Sequence, residues 1–195
     1  MPIAPARVAW YVTGRFYENE QRQLEDLGYF LHLSGVEGPL FREDGSPGES
    51  TALFTFRSRP FVAQTLTNGN LTIGLDSVGE FSLYFNPEAG ASFDDPGSFS
   101  RGRRIATFRR VSAVMGETLA SPLPGGLALG TNVFTADLVE SVPFELGGYW
   151  YNLRDLLPCG ITQWGTASAN PLATFPPFQR IVAFAGTAIA AGTAA

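Results

Sequence analysis

The sequence predicts an all-β protein, a single antiparallel β-barrel of about 8–10 strands with one short helix near the N-terminus. Three observations carry that prediction. Short runs of β-branched and aromatic residues recur along the chain, and turn-forming clusters separate them. Gly (22) and Pro (14) are abundant over 195 residues, whereas charged residues make up only 16%. A hydrophobic content of 45% is enough to bury one ordinary core. No linker, repeat or shift in composition divides the chain, so residues 1–195 read as one domain.

The first strand is Val8-Ala9-Trp10-Tyr11-Val12-Thr13, continuing through Gly14 to Phe16 and Tyr17. Residues 18–27 read as the helix, with Asn19 as a cap and Leu24 and Leu27 facing inward. Residues 29–34 alternate Tyr29, Leu31 and Leu33 against Phe30, His32 and Ser34, the pattern of a strand. Residues 36–50, rich in Gly, Pro, Asp and Ser, read as a loop. Four strands follow at 51–57, 61–67, 71–76 and 80–85. Asn68-Gly69 is the strongest two-residue hairpin signal, and Asp76-Ser77-Val78-Gly79 is a second tight turn, so the block reads as an antiparallel meander. A long loop at 87–102 embeds Phe93 and Phe99, and loops of that length are commonly functional or lid-like. Strands resume at 104–112 and at 131–140, where Val133, Thr135, Asp137 and Val139 alternate with Phe134, Ala136, Leu138 and Glu140. Three more are expected at 149–153, 161–167 and 180–189.

Composition excludes whole classes of chemistry. All 13 basic residues are Arg, and there is one histidine, His32, and one cysteine, Cys159. Without lysine there is no Schiff base, pyridoxal-phosphate anchor or P-loop. One His and one Cys exclude multi-His, Cys-rich and iron–sulfur sites and an intramolecular disulfide. Neither a metal nor a cofactor is therefore expected. A net charge of −5 argues against nucleic acid and anionic membranes as partners. No stretch approaches the roughly 18 apolar residues of a membrane span, and Met1-Pro2-Ile3-Ala4-Pro5-Ala6-Arg7 lacks the pattern of a secretory signal. A cytoplasmic monomer or homo-oligomer is the expectation.

A barrel of this size either fills with side chains or holds one small ligand. Sixteen Phe favour an apolar cavity, which for a small-molecule site means about 300 Å³ or more. His32 is the only side chain titrating near neutrality, hence a candidate general acid or base, although no Gly-x-Ser-x-Gly elbow accompanies it. Asp137 is the leading candidate acid because it shares the alternation of Val133 and Val139; a solvated, outward carboxylate is the alternative. Tyr84 would supply a catalytic hydroxyl. Tyr11 and Phe85 would line the ligand, while Trp150, Tyr151 and Trp164 would rim or plug one end. Arg109, in a cluster with Arg101, Arg103, Arg104 and Arg110, either grips a carboxylate or phosphate at the mouth or pairs with acids such as Asp94 and Asp95. Cys159, in an apolar turn, reads as a structural thiol.

Gly14-Arg15-Phe16-Tyr17, ahead of a run of antiparallel strands, resembles the Gly-x-Trp region that opens lipocalin-like barrels, with Phe16 in place of the tryptophan. The strand-rich, lysine-free layout also resembles allene oxide cyclase and dirigent barrels, whose members guide cyclisations and couplings of hydrophobic intermediates. These resemblances imply a barrel around a small hydrophobic molecule. The activity they imply is cofactor-independent isomerisation or cyclisation of a polyketide-, terpenoid- or lipid-like substrate. A non-catalytic carrier is the first alternative, and a structural, oligomer-forming protein the second.

Overall fold

The computed structural model describes residues 1–62, 64–68, 71–76, 79–115, 118–120, 127–168 and 171–192; within 64–76 and 112–129 it describes the backbone alone. The strands are β1 (Val8–Asn19), β2 (Leu24–Leu33), β3 (Phe54–Ser58), β4 (Gln64–Asn68), β5 (Leu71–Asp76), β6 (Glu80–Phe85) and β7 (Arg103–Met115). They continue with β8 (Thr118–Ala120), β9 (Leu127–Leu129), β10 (Thr131–Ser141), β11 (Phe144–Leu146), β12 (Tyr149–Tyr151), β13 (Ile161–Ala167) and β14 (Phe178–Ala190). A 3-10 turn spans Pro96–Ser100, and one α-helix, α1, spans Leu153–Leu156.

Eight strands close into an antiparallel barrel in the ring order β1-β2-β3-β6-β7-β10-β13-β14, with β14 returning to β1. Closure removes the exposed edges that would otherwise invite pairing with another chain. It is also the architecture expected of a lipocalin-like barrel. The apolar alternation builds the core directly. Trp10, Val12 and Phe16 of β1, Phe54 and Phe56 of β3, Phe81 and Leu83 of β6 and Phe134 and Leu138 of β10 all lie in one buried cluster. Their rings interlock edge to face and stacked, as in Trp10 with Phe30 at 5.6 Å and Phe81 with Phe108 at 5.2 Å.

Gly14 and Gly28 stand opposite one another on β1 and β2. A Cβ on Gly14 would lie 2.2 Å from the Leu27 carbonyl oxygen, and one on Gly28 2.1 Å from that of Thr13. The two strands approach this closely only because neither residue has a side chain. The ring tips of Phe184 and Phe56 reach into the space left on each side.

Residues 18–27 are not helical. They finish β1, turn, and begin β2. The side chain expected to cap a helix closes the turn: Asn19 Oδ1 accepts the N–H groups of Gln21 and Gln23, and the Asn19 N–H donates to the Gln23 carbonyl. Two polar turns of helix would not sustain themselves, whereas a strand buries Glu25 and Leu27 on one face and Asp26 on the other. Among the described residues the one α-helix lies late in the chain, with Asn152 as its cap.

The block 51–85 is not a simple meander either. β3 pairs with β6, the β4–β5 hairpin is inserted between them, and β5 runs on to β7. The register Asn68 to Leu71 leaves two residues for the connection; Gly69, and Ser77 and Val78 of the second turn, lie outside the described residues.

Two packings finish the structure. One end is plugged by Phe144 and Leu146 of β11 and by Leu153, Leu156 and Leu157. On the outside of β14, β1 and β2, the 87–102 loop lays Phe93 and Phe99 over Tyr17, Leu27 and Ile181 in a second apolar cluster. The Tyr17 hydroxyl donates to the Phe93 carbonyl and the Thr55 hydroxyl to that of Phe99, so this loop is a fixed cover.

Candidate functional site

The barrel interior is polar at one place. Arg110 of β7 reaches across to Asp26 of β2, and its Nη2 donates to both carboxylate oxygens at 2.8 Å. The residues are 5% exposed each. The guanidinium is ringed by Phe61, Phe81 and Phe134, with its carbon 4.8–5.3 Å from the ring centres, so the negative faces of the rings share its charge. Among the described residues Arg110 Nη1 has no hydrogen-bond partner. Opposite it, Trp10 Nε1 donates to Gln163 Oε1 at 2.9 Å. Every barrel strand except β14 supplies a side chain to this pocket, and Gly186 of β14 faces Gln163 and Val12 from the remaining side. Free space at the centre is about 10 Å³, room for one water-sized group.

A second ionic pair, Arg57 with Glu25, lies on the outer side of β2 under the 87–102 loop, and Ser100 completes it. In the same cover, burial pushes the Tyr17 hydroxyl up to about 12, only partly opposed by Arg15. Burial also raises Tyr29, with Glu49 adding to the effect.

The structure places the sequence-predicted catalytic residues on the outer wall. Asp137 does follow Val133 and Val139, but their face is the exposed one. There Arg109 stands in register between Glu80 on one side and Asp137 on the other, a cross-strand row of alternating charge. Tyr84 is half-buried on the face opposite Phe81 and Leu83. His32 is turned outward by a bulge: Tyr11 pairs with His32 and Val12 with Phe30, so Leu31 is an extra residue and the alternation slips by one. Its Nε2 lies 2.8 Å from the Ser34 hydroxyl. Asp137, Tyr84 and His32 occupy strands that are nowhere adjacent in the ring, and they do not converge.

The ligand-binding candidates divide. Phe85 stacks on Phe54 at 4.9 Å at the plugged end. Tyr151 packs on Phe144, and its hydroxyl bonds the Glu37 backbone. Trp150 is exposed at the plug hairpin, and Arg109, Tyr11 and Trp164 are exposed on the wall. Of the arginine cluster, Arg101 pairs with Asp95 and Arg104 with Glu140. Cys159 is half-buried and free.

Tyr11 and Trp164 belong to one row. Val133 of β10 is in register with Trp164 of β13, Trp164 with Thr187 of β14, Thr187 with Tyr11 of β1, and Tyr11 with His32 of β2. Val133, Trp164, Tyr11 and the bulged Leu31 are each 42–49% exposed. No position from Val133 to His32 along this row is Asp, Glu or Arg. The other half of the same wall, at Tyr17, Leu27 and Ile181, is covered by the 87–102 loop.

Arg110 and Asp26 were discernible in principle. Arg110 is two residues from Phe108 on a strand, so it shares the inward face, and Asp26 stands likewise to Gly28 and Phe30. Reading Arg110 within a charge cluster and Asp26 within a helix hid both. Among the described residues no group of three or more His, Cys, Asp and Glu side chains forms a metal site, and no helix is long and apolar enough to cross a membrane. No protein-family model, curated protein or solved structure matches the chain.

Proposed function

We propose that this protein is a non-catalytic docking module: a barrel packed solid by its own side chains that acts through its outer wall. The observation that carries this reading is the uncharged row from Val133 through Trp164 and Tyr11 to Leu31, which the 87–102 loop leaves bare. Aromatic and aliphatic groups lined up across strands and rimmed by polar residues are the usual mark of a contact surface. The pocket around Arg110 and Asp26 supports the same reading from the other side, because its free space of about 10 Å³ is far below the roughly 300 Å³ of a small-molecule pocket.

Native mass spectrometry of protein purified from its own host tests this. The bare chain mass, alone or in multiples, is expected. A stoichiometric small molecule released on denaturation would remove the reading.

A second reading, a carrier, rests on Arg110 Nη1, a buried donor with no acceptor. Asp26 already balances the arginine's charge, so the group that fits is a neutral oxygen, such as a carbonyl or hydroxyl, rather than an anion. For a carrier, the co-purifying molecule would be lost from Arg110→Met and kept by Asp137→Asn.

A further inference from the structure

We infer that the pocket around Arg110 is the site of one resident water molecule, which accepts from Arg110 Nη1 and donates to Gln163 Oε1 and to the Asp26 carboxylate. The inference goes beyond the docking reading, and it gives to the protein's own framework the place that a carrier would give to its cargo.

Charge and volume limit the occupant first. Asp26 and Arg110 are each 5% exposed and neutralise one another, so an ion bound at Nη1 would bring an unbalanced charge into the core. The free space of about 10 Å³ matches one water and is too little for an organic ligand. Trp10, Val12, Phe30, Phe56, Phe81 and Phe134 supply its apolar walls.

Hydrogen-bonding capacity then selects water among small neutral groups. Among the described residues Arg110 Nη1 is a buried donor with no acceptor, and the same pocket holds acceptors with capacity to spare. Gln163 Oε1 takes an N–H from Trp10 Nε1 at 2.9 Å, and a carboxamide oxygen has a second lone pair to offer. Each Asp26 oxygen takes the Arg110 Nη2 donor at 2.8 Å, and a carboxylate oxygen likewise accepts more than once. A carbonyl group would satisfy Arg110 and bring no donor for those oxygens. A hydroxyl would serve only one of them. Water accepts from Nη1 and donates twice, which makes about three bonds, the usual number for a buried water.

The water joins two hydrogen-bonded pairs, Asp26 with Arg110 and Trp10 with Gln163, into one network drawn from β1, β2, β7 and β13. A one-residue slip of any of these strands would turn its polar side chain to the outer face and leave the others unpaired in the core. The network therefore pins the register of four strands to one another.

A crystal structure of the full chain, at a resolution that places ordered waters, tests the inference. One spherical density peak is expected at hydrogen-bond distance, about 2.7–3.2 Å, from Arg110 Nη1, Gln163 Oε1 and an Asp26 oxygen. Gln163→Leu removes one acceptor and is expected to lose the peak while Arg110 stays paired with Asp26. If that variant does not fold, the wild-type map decides alone. A wild-type map with no peak overturns the inference, as does Nη1 bonded directly to a protein atom, a peak that touches Arg110 and not Gln163, or a peak kept in Gln163→Leu. Those outcomes leave the docking reading intact. Elongated density of an organic molecule overturns the inference and removes the docking reading with it.

Discussion

At the scale of single residues, Arg110 and Asp26 dominate. A buried pair is costly to form and more costly to break, because removing one partner strands the other's charge in the core. Arg110→Met or Asp26→Leu alone is expected to lose about 3–5 kcal/mol in urea unfolding. The double variant should lose clearly less than the sum, and a cycle that closes additively would show that the two do not act as a pair. By contrast Asp137→Asn and His32→Gln, at exposed positions, should stay within about 0.5 kcal/mol of wild type. Tyr17 gives a pH signature. Its folded-state pKa is raised from 10.0 to about 12, so above pH 10 the unfolded chain gives up this proton while the folded chain keeps it. Stability therefore falls as pH rises from 10 to about 12, by about 1 kcal/mol at pH 11 from this group. Unfolding curves at about pH 9 and about pH 11 for wild type and Tyr17→Phe would isolate it; an equal alkaline loss in both would count against the assignment. Legibility at this scale turned on one-residue offsets. Asp137 and Val133 were correctly put on one face, but alternation does not say which face is inside, and the bulge at Leu31 reverses His32 without any marker in composition.

At the scale of elements, the hairpins and plugs follow from local chemistry to different degrees. Asn19 has the hydrogen-bonding capacity of either a helix cap or a turn, and the choice fell to the turn because strands β1 and β2 could then pair along their length. Gly14 and Gly28 make that pairing possible. Gly14→Ala would drive a Cβ into the Leu27 carbonyl and is expected to lose at least about 3 kcal/mol, more than an ordinary overpacked site. A loss under about 1 kcal/mol would mean that the strands separate there easily. The plug is a discrete element, and Phe144, fully buried against Phe54, Phe85 and Tyr151, anchors it. Phe144→Ala should lose about 3–5 kcal/mol in denaturant unfolding, as for other buried aromatic truncations. The 87–102 loop, expected from the sequence to be functional or lid-like, is a fixed cover. Phe93 and Phe99 decided it, because two embedded aromatics in a polar loop need an apolar surface, and Tyr17, Leu27 and Ile181 provide one.

At the scale of the whole molecule, the barrel's filling and the bare row on its outside are two aspects of one composition. Phenylalanines that pack the interior leave about 10 Å³ free around Arg110, and Tyr11 and Trp164 stand on the outer wall. By itself the sequence determined the all-β class, most strand positions and the exclusion of lysine, multi-histidine and thiol-cluster chemistry. Those depend on residue type and on period-two alternation, which are local. Only the tertiary structure decided the ring order, the insertion of the β4–β5 hairpin, the inward face of each strand and the meeting of Arg110 with Asp26. Each of these depends on which distant strand a segment pairs with and in what register. A single extra residue such as Leu31 changes that outcome without altering any local preference.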